Sequence, residues 1–208
     1  MPELAAPGVA VRMSRSDAPH RRLAHTVEMV RQGRVWVGVH PARANALVAL
    51  ALAACALPAL RGYAEVRREA TAPGGCRIDF RLAGHARDPR PCWLEVKSAN
   101  WCEAAVARFP DSPTERGRRH VATLAARVRA GERAVLLFVV ARGDCRRVEP
   151  AAEVDPAFAR ALRTAARAGV ELRAVAAPVS PRAIALGRAL PVCVGPAGPR
   201  VSPLDRRT

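Results

Sequence analysis

The fold is decided by two stretches of sequence, CRIDFRL at residues 76–82 and CWLEVKS at residues 92–98. In the first stretch, and from Leu94 onward in the second, apolar residues alternate with polar ones, which is the period-2 pattern of a β-strand. The alternation puts Asp79 on the face opposite its apolar neighbours, and in the second stretch it leaves Glu95 and Lys97 together. If the two strands are neighbours, two carboxylates and one amine share one face of a sheet.

The segments on either side of these stretches alternate between helical and strand-like patterns. The continuous apolar run at 133–141 predicts a strand buried on both faces at the centre of the sheet. Ser112, Pro113 and Glu115 predict a helix start with Ser112 as the N-cap. The predicted order is strand 33–40, helix 41–57, strands 63–69, 76–82 and 92–98, helix 112–130, strand 133–141, helix 155–169, strand 170–176 and helix 180–190. This order predicts an α/β fold with a mixed central sheet flanked by helices.

The net charge of the chain indicates a polyanionic partner. Thirty-four Lys+Arg against 18 Asp+Glu give a formal charge of +16 over 208 residues, with a pI near 11.4. Nucleic acid is the first partner to consider. Charge alone does not separate DNA, RNA and an anionic membrane, and a basic surface that only maintains solubility is the alternative.

The sequence also indicates where the protein is located and whether its cysteines bind zinc. No segment reaches the ~18 uninterrupted apolar residues of a membrane span, and the N-terminus lacks the pattern of a signal peptide. We therefore expect a cytoplasmic protein that does not enter a membrane. The six cysteines form no C-x-x-C pair and no zinc-type spacing, so free thiols are expected rather than structural zinc.

Asp79, Glu95 and Lys97 form the constellation that carries chemistry. Two carboxylates can hold Mg²⁺ or Mn²⁺ beside a phosphate, and an ammonium can orient the attacking water in phosphodiester hydrolysis. An acid followed two residues later by a base is also common in surface ion pairs. Lys97, however, is the only lysine in the chain, and all other basic residues are arginine. A lone lysine favours a site where a compact ammonium cannot be exchanged for a guanidinium.

The D…E-x-K arrangement resembles the PD-(D/E)-x-K restriction-endonuclease-like fold. Together with CRIDF at 76–80, LEVKS at 94–98, FPD at 109–111 and TERGRRH at 114–120, it resembles the sugar fermentation stimulation protein A family. The resemblance covers about residues 25–192. It implies a DNA-binding protein in which Asp79, Glu95 and Lys97 fall on the nuclease motif. It also implies that Glu65 is an additional acidic metal ligand.

The same family carries an N-terminal OB-fold domain. This chain begins near the end of that domain and lacks the family's His-x-Pro-Asn-Thr-Gly segment. We therefore expect residues 1–40 to be a short, incomplete β remnant of the OB-fold region. Residues 41–194 are expected to form the nuclease-like DNA-binding domain, and residues 195–208 a flexible tail.

A basic stripe on the predicted helix 112–130 is the candidate DNA contact. It consists of Arg116, Arg119, His120 and Arg127, opposite an apolar face. A solvated helix face explains the pattern equally well. No base-reading motif is evident, so binding is expected to be largely independent of DNA sequence. Two functions remain open: metal-dependent DNA cleavage, and a DNA-binding regulator of sugar (maltose) metabolism genes that does not cleave.

Overall fold

A six-stranded mixed sheet forms the centre of the protein. The computed structural model describes residue 4, residues 6–19 and residues 21–195. Its elements are β1 (Val11–Arg15), β2 (His25–Gln32), β3 (Val35–Gly38), α1 (Ala42–Ala53), a 3₁₀ turn (Pro58–Leu60), β4 (Tyr63–Thr71), β5 (Arg77–His85), β6 (Cys92–Ser98), β7 (Trp101–Glu103), β8 (Val106–Phe109), α2 (Glu115–Arg129), β9 (Arg133–Val140), β10 (Arg147–Pro150), α3 (Pro156–Arg167), β11 (Glu171–Ala176) and β12 (Ala189–Leu190). The predicted α/β class is confirmed.

The central sheet has the strand order β12-β11-β9-β6-β5-β4. Strands β4, β5 and β6 form an antiparallel meander, whereas β6, β9 and β11 run parallel to one another. Every residue of β9 after Arg133 is buried, as the continuous apolar run predicted. Strand β6 lies beside this buried strand, and its own residues Cys92 to Val96 are buried as well.

Helices cover both faces of this sheet. Alternate residues of β9 pack on opposite faces of the sheet. Val135 and Leu137 pack in the cluster that contains α1. Leu136 and Phe138 pack in the cluster that contains α2 and α3. Helices α1 and α2 therefore pack on opposite faces of the central sheet. None of the helices in the described part of the chain has the length and apolar character needed to cross a membrane.

Two small sheets accompany the central one. Strands β1, β2 and β3 form an antiparallel sheet near the N-terminus, and β10, β8 and β7 form another. The N-terminal sheet is tied to the rest of the chain by the Gly38 N–H, which donates to the Ala141 carbonyl at 2.8 Å. Glu28 of β2 also forms an ion pair with Arg43 of α1.

Two helix boundaries differ from the sequence prediction. Helix α1 ends at Ala53 rather than at residue 57. Helix α2 is capped by Thr114 and not by Ser112: the Thr114 hydroxyl accepts the Gly117 N–H at 2.9 Å. The Thr114 N–H in turn donates to an Asp155 carboxylate oxygen at 2.9 Å. This contact from α3 fixes the start of α2, and it depends on residues 41 positions apart.

The helix predicted for residues 180–190 is wrong. The segment returns along β11, where the Ala176 N–H donates to the Arg188 carbonyl at 2.9 Å and the Gly187 N–H donates to the Ala176 carbonyl at 2.7 Å. It ends in the short strand β12. Pairing with the edge of the central sheet therefore prevails over the helical pattern. The predicted tail lies, from residue 196 onward, outside the described residues.

Candidate active site

The candidate site lies where β5 and β6 separate. Backbone pairing of these strands joins residues 80–82 to residues 92–94. Beyond this point side chains bridge the gap: the Val96 N–H donates to Asp79 Oδ2 at 2.8 Å, and the Asp79 N–H donates to Glu95 Oε2 at 3.3 Å. Each carboxylate thus occupies the place of a backbone acceptor, which fixes both acidic side chains between the diverging strands.

Glu95 is a buried charge with two basic neighbours. Its residue is 1% exposed, and its Oε1 accepts a hydrogen bond from Lys97 Nζ at 2.5 Å. His120 Nδ1 contacts the same oxygen and lies 3.1 Å from Lys97 Nζ. Burial opposes the ionisation of Glu95, but the contacts with His120 and Lys97 outweigh it and lower its pKa. Glu95 is therefore held as a carboxylate inside the protein.

Asp79 has the opposite electrostatic balance. Its pKa is raised by burial first and then by the negative charge of Glu95, although the bonds from Val96 and Asn45 oppose the shift. Asn45 Nδ2 donates to Asp79 Oδ1 at 2.8 Å, which orients the carboxylate from the side of α1. Two carboxylates that disfavour each other's charge are stabilised by a cation placed between them.

The two acids open into a cleft between α1, the central sheet and α2. Its volume is about 210 Å³, several times the ~30 Å³ that one water occupies in the liquid. Arg116 is exposed at the cleft, and its Nε donates to His120 Nε2 at 3.5 Å. The cleft is lined by Pro41, Ala44, Asn45, Asp79, Glu95, Val96, Lys97, Ser98, Arg116 and His120. It has room for several water molecules.

Glu65 does not belong to this group in the structure. It is exposed on the edge strand β4 and pairs with Ala83 of β5. Ala83 lies four residues along β5 from Asp79, which is about 13 Å at the rise of a strand. Glu65, as the partner of Ala83, is therefore about that far along the sheet from Asp79. Glu65 is also not among the residues that line the cleft.

The four members of the predicted basic stripe have different environments. His120 is buried at 5% exposure and contacts Glu95, so it is part of the cleft rather than of an exposed stripe. Arg127 is half-buried and donates to Glu132 Oε2 at 3.3 Å. Arg116 and Arg119 are exposed. The exposed arginines of the stripe are therefore Arg116, whose Nε also contacts His120, and Arg119.

Asn45 is the site residue to which sequence reasoning assigned no role. The sequence does contain a feature that points to Asn45. Helix α1 reads ARANALVALALA, in which Arg43 and Asn45 are the only polar side chains. Arg43 is explained by its ion pair with Glu28. A second polar residue in an otherwise apolar helix requires a partner, and that partner is Asp79.

Comparison with known proteins identifies the family. The family model described as the sugar fermentation stimulation protein RE domain matches residues 42–183, and the model of the SfsA N-terminal OB domain matches residues 1–39. The chain belongs to the sugar fermentation stimulation protein family. The predicted resemblance is confirmed, and the N-terminal OB domain is partly present.

Relatives in this family cover most of the chain. The sugar fermentation stimulation protein homolog of Halorhodospira halophila is 49% identical, with 89% of this chain and 78% of the relative covered. The homolog of Maricaulis maris is 44% identical, with 89% and 79% covered. Among solved structures, Pyrococcus furiosus SfsA in complex with Ca²⁺ matches with a TM-score of 0.82 at 25% identity, covering 92% of this chain and 81% of that one.

Proposed function

We propose that this protein binds DNA and hydrolyses its phosphodiester bonds with Mg²⁺ or Mn²⁺ held by Asp79 and Glu95. One observation carries the proposal: two carboxylates from neighbouring strands are fixed by reciprocal bonds, with the only lysine of the chain on one of them. A purely structural ion pair would need only one carboxylate, and it would not require an open cleft beside it. The site instead presents both acids to a volume of about 210 Å³.

The donor set fits a hard divalent cation. Both Asp79 oxygens and Glu95 Oε2 each accept one hydrogen bond in the described structure, which leaves lone pairs for a metal. Carboxylate oxygens are the ligands that Mg²⁺, Mn²⁺ and Ca²⁺ share. The Pyrococcus furiosus relative is in complex with Ca²⁺, a cation that takes oxygen ligands, and this supports a cation site in the present chain. When bound here, the ion would lower the pKa of a coordinated water and offset the charge of the phosphate.

The side chains around the metal ligands have separate tasks. Lys97 Nζ is fixed by Glu95 and by the nearby His120, and an ammonium has three donors in total. A remaining donor is available to orient a water molecule or a phosphate oxygen in the cleft. Arg116 lies exposed at the cleft and provides a cationic contact for a neighbouring phosphate.

The charge distribution supports DNA as the substrate. A formal charge of +16 gives strong attraction for a phosphate backbone. Exposed arginines occur near the acids: Arg77 lies two residues before Asp79 on β5, where it forms an ion pair with Glu69, and Arg116 lines the cleft. Contacts of this kind position a duplex without reading its bases.

The alternative function is a DNA-binding regulator of sugar metabolism genes that does not cleave. It is favoured by the two contacts on Glu95 Oε1, where the Lys97 ammonium offsets the carboxylate charge and His120 adds a hydrogen bond without a metal. In this alternative the cleft accepts a phosphate of the backbone but activates no water. The family name also points in this direction.

A plasmid-nicking assay separates the two functions. Supercoiled plasmid is incubated with the full chain in Mg²⁺, Mn²⁺, Ca²⁺ or EDTA, and the relaxed form is measured. We expect nicking in Mg²⁺ or Mn²⁺ that falls by about 10²–10³-fold in Asp79→Asn. Glu65→Gln is the matched control, because it removes an exposed carboxylate outside the cleft and should cleave normally. If the wild type binds plasmid but nicks it with none of these ions, the regulator is the correct function.

A further inference from the structure

Two cysteines far apart in sequence meet outside the cleft. Cys102 lies in β7, and Cys145 lies in the turn that precedes β10. Their Sγ atoms are 2.7 Å apart, although 43 residues separate them in the chain. Neither residue lines the cleft that contains Asp79. This pair therefore needs an explanation separate from the proposed hydrolysis.

The two thiols have different access to solvent. Cys145 is buried at 1% exposure, whereas Cys102 is partly exposed. A small oxidant can therefore reach Cys102 first, and Cys145 is placed directly behind it. This arrangement of an accessible thiol and a buried neighbour is typical of a redox-active pair.

The charges around the pair favour a thiolate on Cys102. The hydrogen bond from Cys145 lowers the pKa of Cys102 most, burial opposes it, the positive charge of Arg142 lowers it further, and the negative charge of Asp144 raises it. The hydrogen bond with Cys102 and burial raise the pKa of Cys145. Arg142 is only 4% exposed, so its charge is poorly screened by water. Cys102, which is the more accessible thiol and has the lower pKa, is thus expected to react first, and Cys145 is its hydrogen-bond donor.

We propose that Cys102 and Cys145 are an oxidation site that forms a reversible disulfide when the protein meets a peroxide. The Cys102 sulfur attacks one peroxide oxygen, the O–O bond breaks, and one water leaves after protonation, which yields a sulfenic acid. The Cys145 sulfur then attacks the Cys102 sulfur, the S–O bond breaks, and a second water leaves. The peroxide gains two electrons from the two sulfurs, and both thiol protons end in water.

A metal site is the competing use of the same residues. The ligand atoms of Cys102, Asp144 and Cys145 all lie within 4.8 Å of one another. Both Asp144 oxygens, however, accept hydrogen bonds from Arg142 at 2.7 Å. Asp144 is thus already engaged by a buried guanidinium, which leaves the two thiols without a carboxylate ligand for a divalent cation. The observations therefore favour oxidation over zinc binding.

The disulfide would join segments that are hydrogen-bonded to the ends of β6 and β9, and β6 carries Glu95 and Lys97, which line the cleft. Arg142 Nη1 donates to the Asn100 carbonyl at 3.0 Å, and the Ala141 N–H donates to Asn100 Oδ1 at 2.9 Å. Asn100 follows β6, the strand that carries Lys97. A covalent bond between β7 and the turn before β10 would restrain the ends of β6 and β9 together, and we expect the oxidised protein to unfold at higher temperature.

Peptide mapping of the full chain tests the proposal. Reduced protein is treated with hydrogen peroxide, alkylated and digested with trypsin, which cuts after Lys97, Arg108, Arg142 and Arg146. Cys102 and Cys145 then lie in separate peptides, each with one cysteine. We expect these peptides to be linked, with the loss of two hydrogens, and to be released by dithiothreitol. This measurement on the wild type requires no substitution.

Variants identify the order of the steps. Cys145→Ser should stop the reaction at a sulfenic acid on Cys102, which dimedone traps. Cys55→Ser is the matched control, because Cys55 is exposed and should not be needed for the link. The proposal is overturned if peroxide leaves Cys102 and Cys145 fully alkylatable. It is also overturned if the purified protein holds one zinc per chain that Cys102→Ser releases.

Discussion

Replacing Lys97 by alanine should destabilise the protein much more than the loss of a surface charge. The Lys97 and Glu95 side chains are 12% and 2% exposed, and their charged atoms are 2.5 Å apart. Two unit charges at that distance attract by roughly 7 kcal/mol at an effective dielectric of 20, most of which offsets desolvation. Removing one partner leaves a buried charge and costs about 3–5 kcal/mol. Because His120 contacts the same oxygen, we expect about 3 kcal/mol.

Thermal unfolding in EDTA measures this cost without a contribution from metal binding. A loss of about 3 kcal/mol corresponds to a decrease in Tm of roughly 6–12 °C for a chain of this size. Arg90→Ala is the control: Asp88 and Arg90 form an ion pair with the same sequence spacing, but on the surface. Its Tm should equal that of the wild type.

A double variant checks the cause of the destabilisation. In Lys97→Ala/Glu95→Gln the buried group is neutral and no longer needs a cation, so about half or more of the lost stability should return. The reasoning is refuted if Lys97→Ala melts with the wild type. It is also refuted if the effects of the two single substitutions simply add.

Three further outcomes follow from the structure. If about five phosphates are contacted, the plot of log K for DNA against log salt should have a slope near −4 to −5, and a flat plot in a filter-binding titration would exclude backbone recognition. Thr114→Ala should lower the urea-unfolding free energy by about 1 kcal/mol, whereas Ser112→Ala, at the predicted but unused cap, should not change it. The hydrogen bond from Arg43 lowers the pKa of Glu28 from 4.5 to about 2, so Glu28 stabilises the fold above pH 4.5 and loses this effect as pH falls towards 2. Glu28→Gln should therefore melt below the wild type at pH 7, and a difference that does not shrink at acidic pH would contradict the ion pair.

The parts of the fold that the sequence predicted correctly depend on local chemistry. The apolar run of β9 requires burial on both faces wherever the strand lies. Asp155 before Pro156 starts α3, and Asp155 Oδ1 accepts the Phe158 N–H at 2.8 Å. Strand alternation likewise sufficed to place Asp79 and Glu95 at one site. Within each strand or helix start these inferences use residues no more than a few positions apart, and the approach of Asp79 to Glu95, 16 positions away, also depends on the pairing of β5 with β6.

The features that were not predicted depend on distant residues. Asn45 and Asp79 are 34 positions apart, and Glu95 and His120 are 25 apart. Neither contact has a periodic signal in the sequence. Strands β7 and β8 have three and four residues, which is too short for an alternating pattern to be recognised. The placement of Glu65 was inferred from resemblance, and the register of β4 on β5 puts it elsewhere.

The most direct test of the proposed metal-dependent nuclease is DNA cleavage by Lys97→Arg at matched DNA occupancy. Lys97 Nζ lies 2.5 Å from Glu95 Oε1 and 3.1 Å from His120 Nδ1, a space that suits a compact ammonium and not a planar guanidinium. We predict that the arginine variant binds DNA with a Kd within about twofold of the wild type. We also predict that it cleaves at least about 100-fold more slowly in Mn²⁺. Near-normal cleavage by the arginine variant, or none by saturated wild type, would contradict the proposed role of this site.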